Sequence, residues 1–530
     1  MKHMRSINTV AALLATSLLM ACNGDNNITP LPIALPVIAA DVPIPGSSGT
    51  NVAFSFDLFY VDQGKSTAYF TDRNNKAVNK VTYTTSGGVL GLGTGTLAAQ
   101  FSAGLGFSGC NSAPGVPAPG CPSATTALGP LSASANSGPN GVNGLAGTTR
   151  IYSADVQKIV GLDSVAGALV ATIPATNPIK GNTGIRVDEG CILPAANSPI
   201  AGAAILAYSN NGEPTTTVGA KTLGTTYYTF VRLDTHAVVG QMVMPNSVGQ
   251  EQCAFDTTGP GPVTMLYAED GDTLALNTIT GTANPDGAMD SVDVAALFTA
   301  FATAPTSLMN GNKWLVLDLN ANVIADAAAG FYPALTVGPS SGMGATAAAV
   351  NTIWNRVTGY NTTVGAAAGS GCGPTGFVLN STAGSVDALQ VCRPAAGIVA
   401  NVLVLNRKTG AIKANVNAGA ADQAAYDPVT NAYYIASSRW NATGISQGSC
   451  AATPAARVCT PVMNVVDGTS YAVRARLPVG NNAHGIDVDS ANGIALMAYS
   501  NSTLPAGCGS CATLPAPATA SGGVHVIRIR

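Results

Sequence analysis

The last seven residues, Val524-His525-Val526-Ile527-Arg528-Ile529-Arg530, read as a β-strand with no partner after it. Six similar segments upstream each run on into a second strand. The missing partner stands at the other end of the chain, in Val37-Ile38-Ala39-Ala40-Asp41-Val42-Pro43-Ile44-Pro45. That segment reads like Tyr471-Ala472-Val473-Arg474-Ala475-Arg476-Leu477-Pro478-Val479, the closing strand of the preceding unit. A repeat divided between the two ends of a chain is how a circular array closes. The division lets the ring close by strand pairing and leaves no open sheet edge.

The repeating signal is a strand, a turn with Asp, Asn or Gly, and a second strand. It occurs at Val78–Tyr83, Ile159–Asp163, Phe230–Asp234, Trp314–Asp318, Val402–Asn406 and Met463–Asp467, and the C-terminal strand makes seven. Alternating apolar positions with Gly, Asn and Asp turns are strand grammar. The expected fold is all-β: a seven-bladed β-propeller of four-stranded blades, closed by pairing of residues 37–45 with 524–530. Three insertions depart from a minimal ring. Ser108 to Ser137 and Ala366 to Pro394 read as Gly/Ser-rich loops, the second carrying a disulfide. Gly281 to Thr303 reads as a turn and then a helix with Val294, Leu297, Phe298 and Phe301 on one face.

Composition agrees with this and narrows the function. Only 10% of the 530 residues are charged, with 60 Gly and 32 Pro, which suits short strands and many turns. The net charge is −3, with no basic stripe, so nucleic acid is not an expected partner. No P-loop, HExxH or CxxCH signature appears, so neither nucleotide nor haem is expected. Gly444-Ile445-Ser446-Gln447-Gly448 has the G-x-S-x-G form, but a Cys-bearing Ala/Pro loop follows it instead of a helix.

Residues 1–21 read as a targeting segment. Lys2, His3 and Arg5 precede an apolar run from Val10 to Ala21, too short to anchor as a membrane span. The run ends in Leu19-Met20-Ala21-Cys22, which resembles a bacterial lipoprotein signal. That resemblance implies cleavage before Cys22, lipidation of its thiol and a fatty acid on its amine. Asn23 follows the cysteine, so the expected place is the bacterial cell envelope, at the outer membrane where the host has one. Residues 22–36 form the lipidated Cys and a Pro-rich tether, and 37–530 the propeller. The membrane is met through the lipid alone, and the domain is expected to be a monomer.

Removing Cys22 from the 11 cysteines leaves an even ten, which suits disulfides in an oxidising envelope. Sequence neighbours pair as Cys110–Cys121, Cys372–Cys392, Cys450–Cys459 and Cys508–Cys511. Cys191 and Cys253 then join neighbouring units. The Cys508-Gly-Ser-Cys511 pair lies in a loop without a helix to lower a thiol pKa, so it reads as a staple and not a redox pair.

The inner half of each unit also repeats. Ala483-His484-Gly485-Ile486-Asp487-Val488-Asp489 matches Ala421-Asp422-Gln423-Ala424-Ala425-Tyr426-Asp427, and Asp57 to Asp62 matches both. The form, followed by a turn and an apolar strand, resembles YVTN-type and NHL-like propellers, a superfamily that includes lactonase-like and SMP-30-like enzymes. The resemblance is one of architecture, because propellers host many functions.

Aligning the inner strands on their terminal Asp superposes Asp62, Asp256, Asp427 and Asp489. Five residues earlier stand Asp57, Glu251, Asp422 and His484. The same register puts Asn140 in blade 2, Thr183 in blade 3 and Met343 in blade 5. Such positions ring the mouth of the channel. Asp57, Asn140, Asp422 and His484 belong to contiguous blades and carry donors that suit a divalent cation such as Ca, Zn, Mn or Fe. A metal there could polarise an ester carbonyl or activate water, with Glu251 and His484 as acid–base groups. The same polar residues equally suit a solvated channel mouth.

A second candidate runs from Thr282 to Asp293 and resembles a dockerin-type calcium loop. Asn284, Asp286, Asp290 and Asp293 are the oxygen donors, Gly287 stands at the sixth position, and a helix follows. An Asp/Asn-rich turn capping a helix accounts for the pattern as well. Two functions follow from the sequence. One is a lipid-anchored binding or scaffold protein for an envelope protein or polymer. The other is a metal-dependent hydrolase of the lactonase or esterase kind.

Overall fold

A computed structural model describes residues 35–44, 56–73, 76–83, 96–98, 105–108, 138–178, 186–210, 216–218, 221–223, 226–244, 247–259, 261–272, 287–317, 336–337, 353–359, 372–393, 401–440, 460–480, 483–499 and 522–530. Cys22 and the signal segment, Cys110, Cys121, Cys450, Cys459, Cys508, Cys511, Asn284, Asp286, Thr183, Met343 and the Gly444–Gly448 motif lie outside them.

Seven sheets, each built on four antiparallel strands, form the blades of a β-propeller. The innermost strands, in order, are Phe59–Asp62, Val142–Leu145, Val187–Leu193, Ser247–Asp256, Gly373–Leu379, Ala424–Asp427 and Ile486–Asp489. Blade 7 is closed by the N-terminal strand Val37–Pro43, which runs antiparallel to Gly523–Arg528 with Val37 opposite Arg528 and Pro43 opposite Gly523. Asp41 sits opposite His525 across this closure. The Tyr499 hydroxyl donates to both Asp41 oxygens at 2.6 and 2.7 Å. The His525 ring stacks on Tyr499 at 4.2 Å. Its Nε2 accepts the Gly480 N–H, so the ring proton sits on Nδ1, 3.2 Å from Asp41.

The turn residues explain the repeat. Asp427 and Asp489 accept backbone N–H groups two or three residues ahead, closing the hairpin between first and second strands. Asp163, Asn406 and Asp467 do the same after third strands. An Asx turn at a fixed place in blades 2, 4, 5, 6 and 7 is therefore what the sequence pattern records there.

The core lies between blades. Seven clusters of buried apolar side chains each draw on two neighbouring sheets, from the pair 1–2 round to the pair 7–1. Tyrosines bridge the same gaps. The Tyr69 hydroxyl donates to Ser164 O, Tyr208 to Tyr152 O and Tyr228 to Glu251 O, at 3.0, 2.8 and 2.9 Å. A buried Tyr fills volume and still satisfies its hydroxyl.

Two expected disulfides are present. Cys191–Cys253 joins the inner strands of blades 3 and 4, and Cys372–Cys392 joins the first two strands of blade 5. The helix Val294–Thr303 buries Val294, Leu297, Phe298 and Phe301, as its spacing predicts.

Two expectations are corrected. Trp314–Leu317 is not the third strand of a blade. It lies parallel to Ala237–Val243 as a fifth strand added outside the four of blade 3, with the short strand Thr336–Val337 paired beyond it. A strand buried on both faces reads as a continuous apolar run whatever its place in a sheet. The third strand of blade 4 is Ala288–Asp293, whose Asp290, Ser291 and Asp293 make it read as a loop. The segment from Ala366 to Pro394 is not one long loop either. Gly373–Leu379 and Asp387–Arg393 are the first two strands of blade 5; Gly376 packs against the backbone of Asp422 in blade 6, and Gly384 stands in the turn between the strands.

Candidate functional site at the channel mouth

Strand pairing fixes the mouth ring. The first residue of each inner hairpin is Asp62, Leu145, Leu193, Asp256, Asn380, Asp427 or Asp489. Five residues before each stand Asp57, Asn140, Asp188, Glu251, Thr375, Asp422 and His484. Asp57, Asn140, Glu251, Asp422 and His484 are the positions expected from sequence. Asp188 and Thr375 replace the expected Thr183 and Met343. In blades 3, 4 and 5 the strand bulges here, so Asp188–Glu189, Glu251–Gln252 and Thr375–Gly376 each face a single partner residue. A bulge re-aims side chains, here toward the axis.

Two arginines that carry no motif complete the ring. Arg73, just after the second strand of blade 1, pairs with Asp57 and donates from Nε to Asn140 Oδ1 at 2.8 Å. Asn140 is fully buried and donates in turn to Val187 O at 2.6 Å. Arg186, just before the inner strand of blade 3, pairs with Asp188. His484 stacks on Phe56 with ring centroids 4.3 Å apart, and its Nε2 lies 3.2 Å from Phe56 O. A carbonyl only accepts, so Nε2 carries the proton.

The electrostatics follow from crowding. Burial raises the Asp57 carboxyl and Asp188 adds to the effect, against Arg73, Arg186 and His484. Burial first, and then Asp57, Glu251, Asp188 and Asp422, push Glu189 well above the usual carboxylate range. Glu189 is only 4% exposed, and its Oε2 has no hydrogen-bond partner among the described residues. Burial works against charge on Arg186, but Asp188, Asp57 and Glu251 outweigh it.

A divalent cation held by Asp57 and Asn140 would have to displace Arg73 from both. Among the described residues no three His, Cys, Asp or Glu side chains are grouped to hold a metal ion. The calcium-loop donors that are described serve elsewhere. Asp290 is buried in the third strand of blade 4 beneath the Tyr267 hydroxyl. Asp293 accepts from Ala296 N at 2.8 Å and caps the helix.

One layer below the mouth stand Leu58, Gly141, Glu189, Gln252, Gly376, Gln423 and Gly485. The glutamines tie blades together. Gln252 Oε1 accepts the Phe377 N–H at 3.1 Å, and Gln423 Oε1 accepts the Ile486 N–H at 2.8 Å. The three glycines give room. A Cβ at Gly485 would lie 2.9 Å from Asp57 O, one at Gly141 3.1 Å from Asp188 O, and one at Gly376 would overlap Asp422 O.

Below this layer the channel opens into a cavity of about 440 Å³. Its lining includes Tyr60, Asn143, Phe255, Phe377, Tyr426 and Asp487. No family model matches the chain, and no curated protein does. Solved structures to which the chain shows some similarity include a hydrazine synthase from Kuenenia stuttgartiensis, at 9% identity over 66% of this chain and 70% of that one, with a TM-score of 0.36. Another is a mitotic checkpoint complex, at 8% identity over 89% of this chain and 90% of that one, with a TM-score of 0.42. Likeness at this level carries no argument about fold or activity.

Proposed function

We propose that this chain is a lipid-anchored binding protein of the bacterial cell envelope, with the propeller as a non-catalytic scaffold. The observation that carries this reading is the seat of Arg73. Its guanidinium occupies the place between Asp57 and Asn140 that a catalytic cation would need, so the best donor set is already neutralised from within. The lipobox-like Leu19-Met20-Ala21-Cys22 supports the anchor. The metal-dependent hydrolase remains the second reading, because Asp57, Asn140, Glu251, Asp422 and His484 do share one mouth.

Elemental analysis of the domain beginning at Asn23, purified without chelator, separates the two. The binding reading expects no stoichiometric Ca, Zn, Mn or Fe, and no hydrolysis of lactones or esters above background. One equivalent of metal that disappears in an Asp57→Ala/His484→Ala variant, together with turnover that disappears with it, would establish the hydrolase instead.

A further inference from the structure

We infer that the axial cavity is a binding site for a small organic amine, whose ammonium group sits on the Asp487 carboxylate beside Tyr60. This goes beyond the scaffold reading, which stands or falls on metal content and hydrolysis and not on this ligand.

Charge comes first. Among the described residues that line the cavity, Asp487 is the only ionised-type side chain, and no Lys, Arg or His faces it. The mouth above is different, since Arg73 and Arg186 compensate its acids. A ligand in the cavity therefore meets one carboxylate with no built-in cation. Asp487 is also held in place. Its Oδ2 accepts the Val61 N–H from blade 1 and its Oδ1 accepts the Val488 N–H, both at 2.8 Å. Each carboxylate oxygen has two acceptor sites, so one on each oxygen remains for a ligand.

Tyr60 supplies the adjacent wall. Its ring lies on the backbone of Gly144 so closely that a Cβ there would overlap it. The contact fixes the ring plane. Burial first, then Asp62 and Asp487, push its phenol well above the usual tyrosine range, so the hydroxyl stays protonated. A neutral phenol face beside a carboxylate is a good seat for a cation, through charge pairing and cation–π attraction together. Phe255 and Phe377 give the rest of the lining an apolar character that suits a compact hydrocarbon body. Burial raises the Asp487 carboxyl to about 7, against the hydrogen bonds from Val488 and Val61. A bound cation would offset that desolvation.

Isothermal titration calorimetry on the disulfide-intact domain tests this with 2-phenylethylamine and 2-phenylethanol, which differ only in the charged group. The amine is expected to bind at least ten-fold more tightly than the alcohol. Asp487→Asn should abolish that preference, and Tyr60→Phe should leave the preference while weakening amine binding about three-fold. Equal affinity for amine and alcohol in the unmodified protein, binding of neither, or an Asp487→Asn variant that keeps the preference would each overturn the proposal. The amine–alcohol comparison needs no variant, so a folding defect in Asp487→Asn leaves the test intact. A lysine-containing tripeptide distinguishes a free amine from a partner's side chain. Binding of the tripeptide but not of the amine would overturn the small-molecule assignment.

Discussion

Asp256→Asn should be among the most destabilising single changes in the described part of the ring. Asp256 ends the inner strand of blade 4 and is reached from blade 5. Arg407 donates to it from Nε at 2.8 Å and from a terminal nitrogen at 3.1 Å, and Lys408 Nζ lies 2.8 Å away. Both side chains of the Arg407 pair are 0% exposed. The guanidinium also donates to Asp387 O, Ser385 O and the Thr258 hydroxyl, so it cannot swing out to water without breaking the blade 5 hairpin. Removing the carboxylate charge strands a buried cation, which costs about 3–5 kcal/mol. Replacing both partners by apolar residues should cost far less, because no buried charge is left behind and Lys408, 28% exposed, can turn to water. The assay is urea unfolding of Asp256→Asn, Arg407→Met and the double variant Asp256→Leu/Arg407→Met. The acid limb gives an independent check. Burial alone would raise the Asp256 carboxyl, but Arg407 and Lys408 hold it well below the usual carboxylate range. A depressed folded pKa gives stability that is present above the unfolded value, about 3.9, and is lost as pH falls below it toward the folded value. The unmodified protein should lose this contribution on acidification and Asp256→Asn should not. A cost under about 1 kcal/mol for Asp256→Asn, or acid profiles that run parallel, would show that the pair is not the tie described.

Other outcomes can be stated briefly. Cys191→Ala/Cys253→Ala opens a loop spanning 62 residues and should lower unfolding free energy by about 4 kcal/mol by the chain-entropy estimate, measured in urea beside the oxidised parent. Cys22→Ser should move the protein from the detergent phase to the aqueous phase in a Triton X-114 partition of envelope extract. An unchanged partition would remove the lipid anchor from the proposal.

The ring was legible in sequence because most blades repeat the same local solution. An Asx turn must follow strands at fixed places, and the closing strand must sit at the far end of the chain. The mouth was legible wherever an inner strand keeps its terminal Asp. Asp57, Glu251, Asp422 and His484 follow from that landmark. Asp188 and Thr375 did not, since Leu193 and Asn380 stand where the Asp would be. Arg73 and Arg186 were not legible at all. Each sits one residue outside a strand, where spacing predicts no direction, and only the folded ring brings them against Asp57 and Asp188. Those two arginines are what turn a plausible ligand set into a neutralised one.

The layer beneath the mouth has a further consequence, one of parity. Going round the axis, bulky and glycine positions alternate: Leu58, Gly141, Glu189, then Gln252, Gly376, Gln423, Gly485 and back to Leu58. An even ring could alternate throughout. A ring of seven cannot, just as two colours cannot alternate round an odd necklace. The misfit must fall at one junction, and here Glu189 meets Gln252 between blades 3 and 4. The Cys191–Cys253 disulfide crosses this junction, and the inserted helix packs into the apolar cluster of the same two blades. Glu189, whose carboxyl burial pushes well above the usual range, marks the spot, with Gly141 on one side and Gln252 on the other. The propeller thus has two seams, one where the chain ends meet and one imposed by counting, and the covalent bond guards the second.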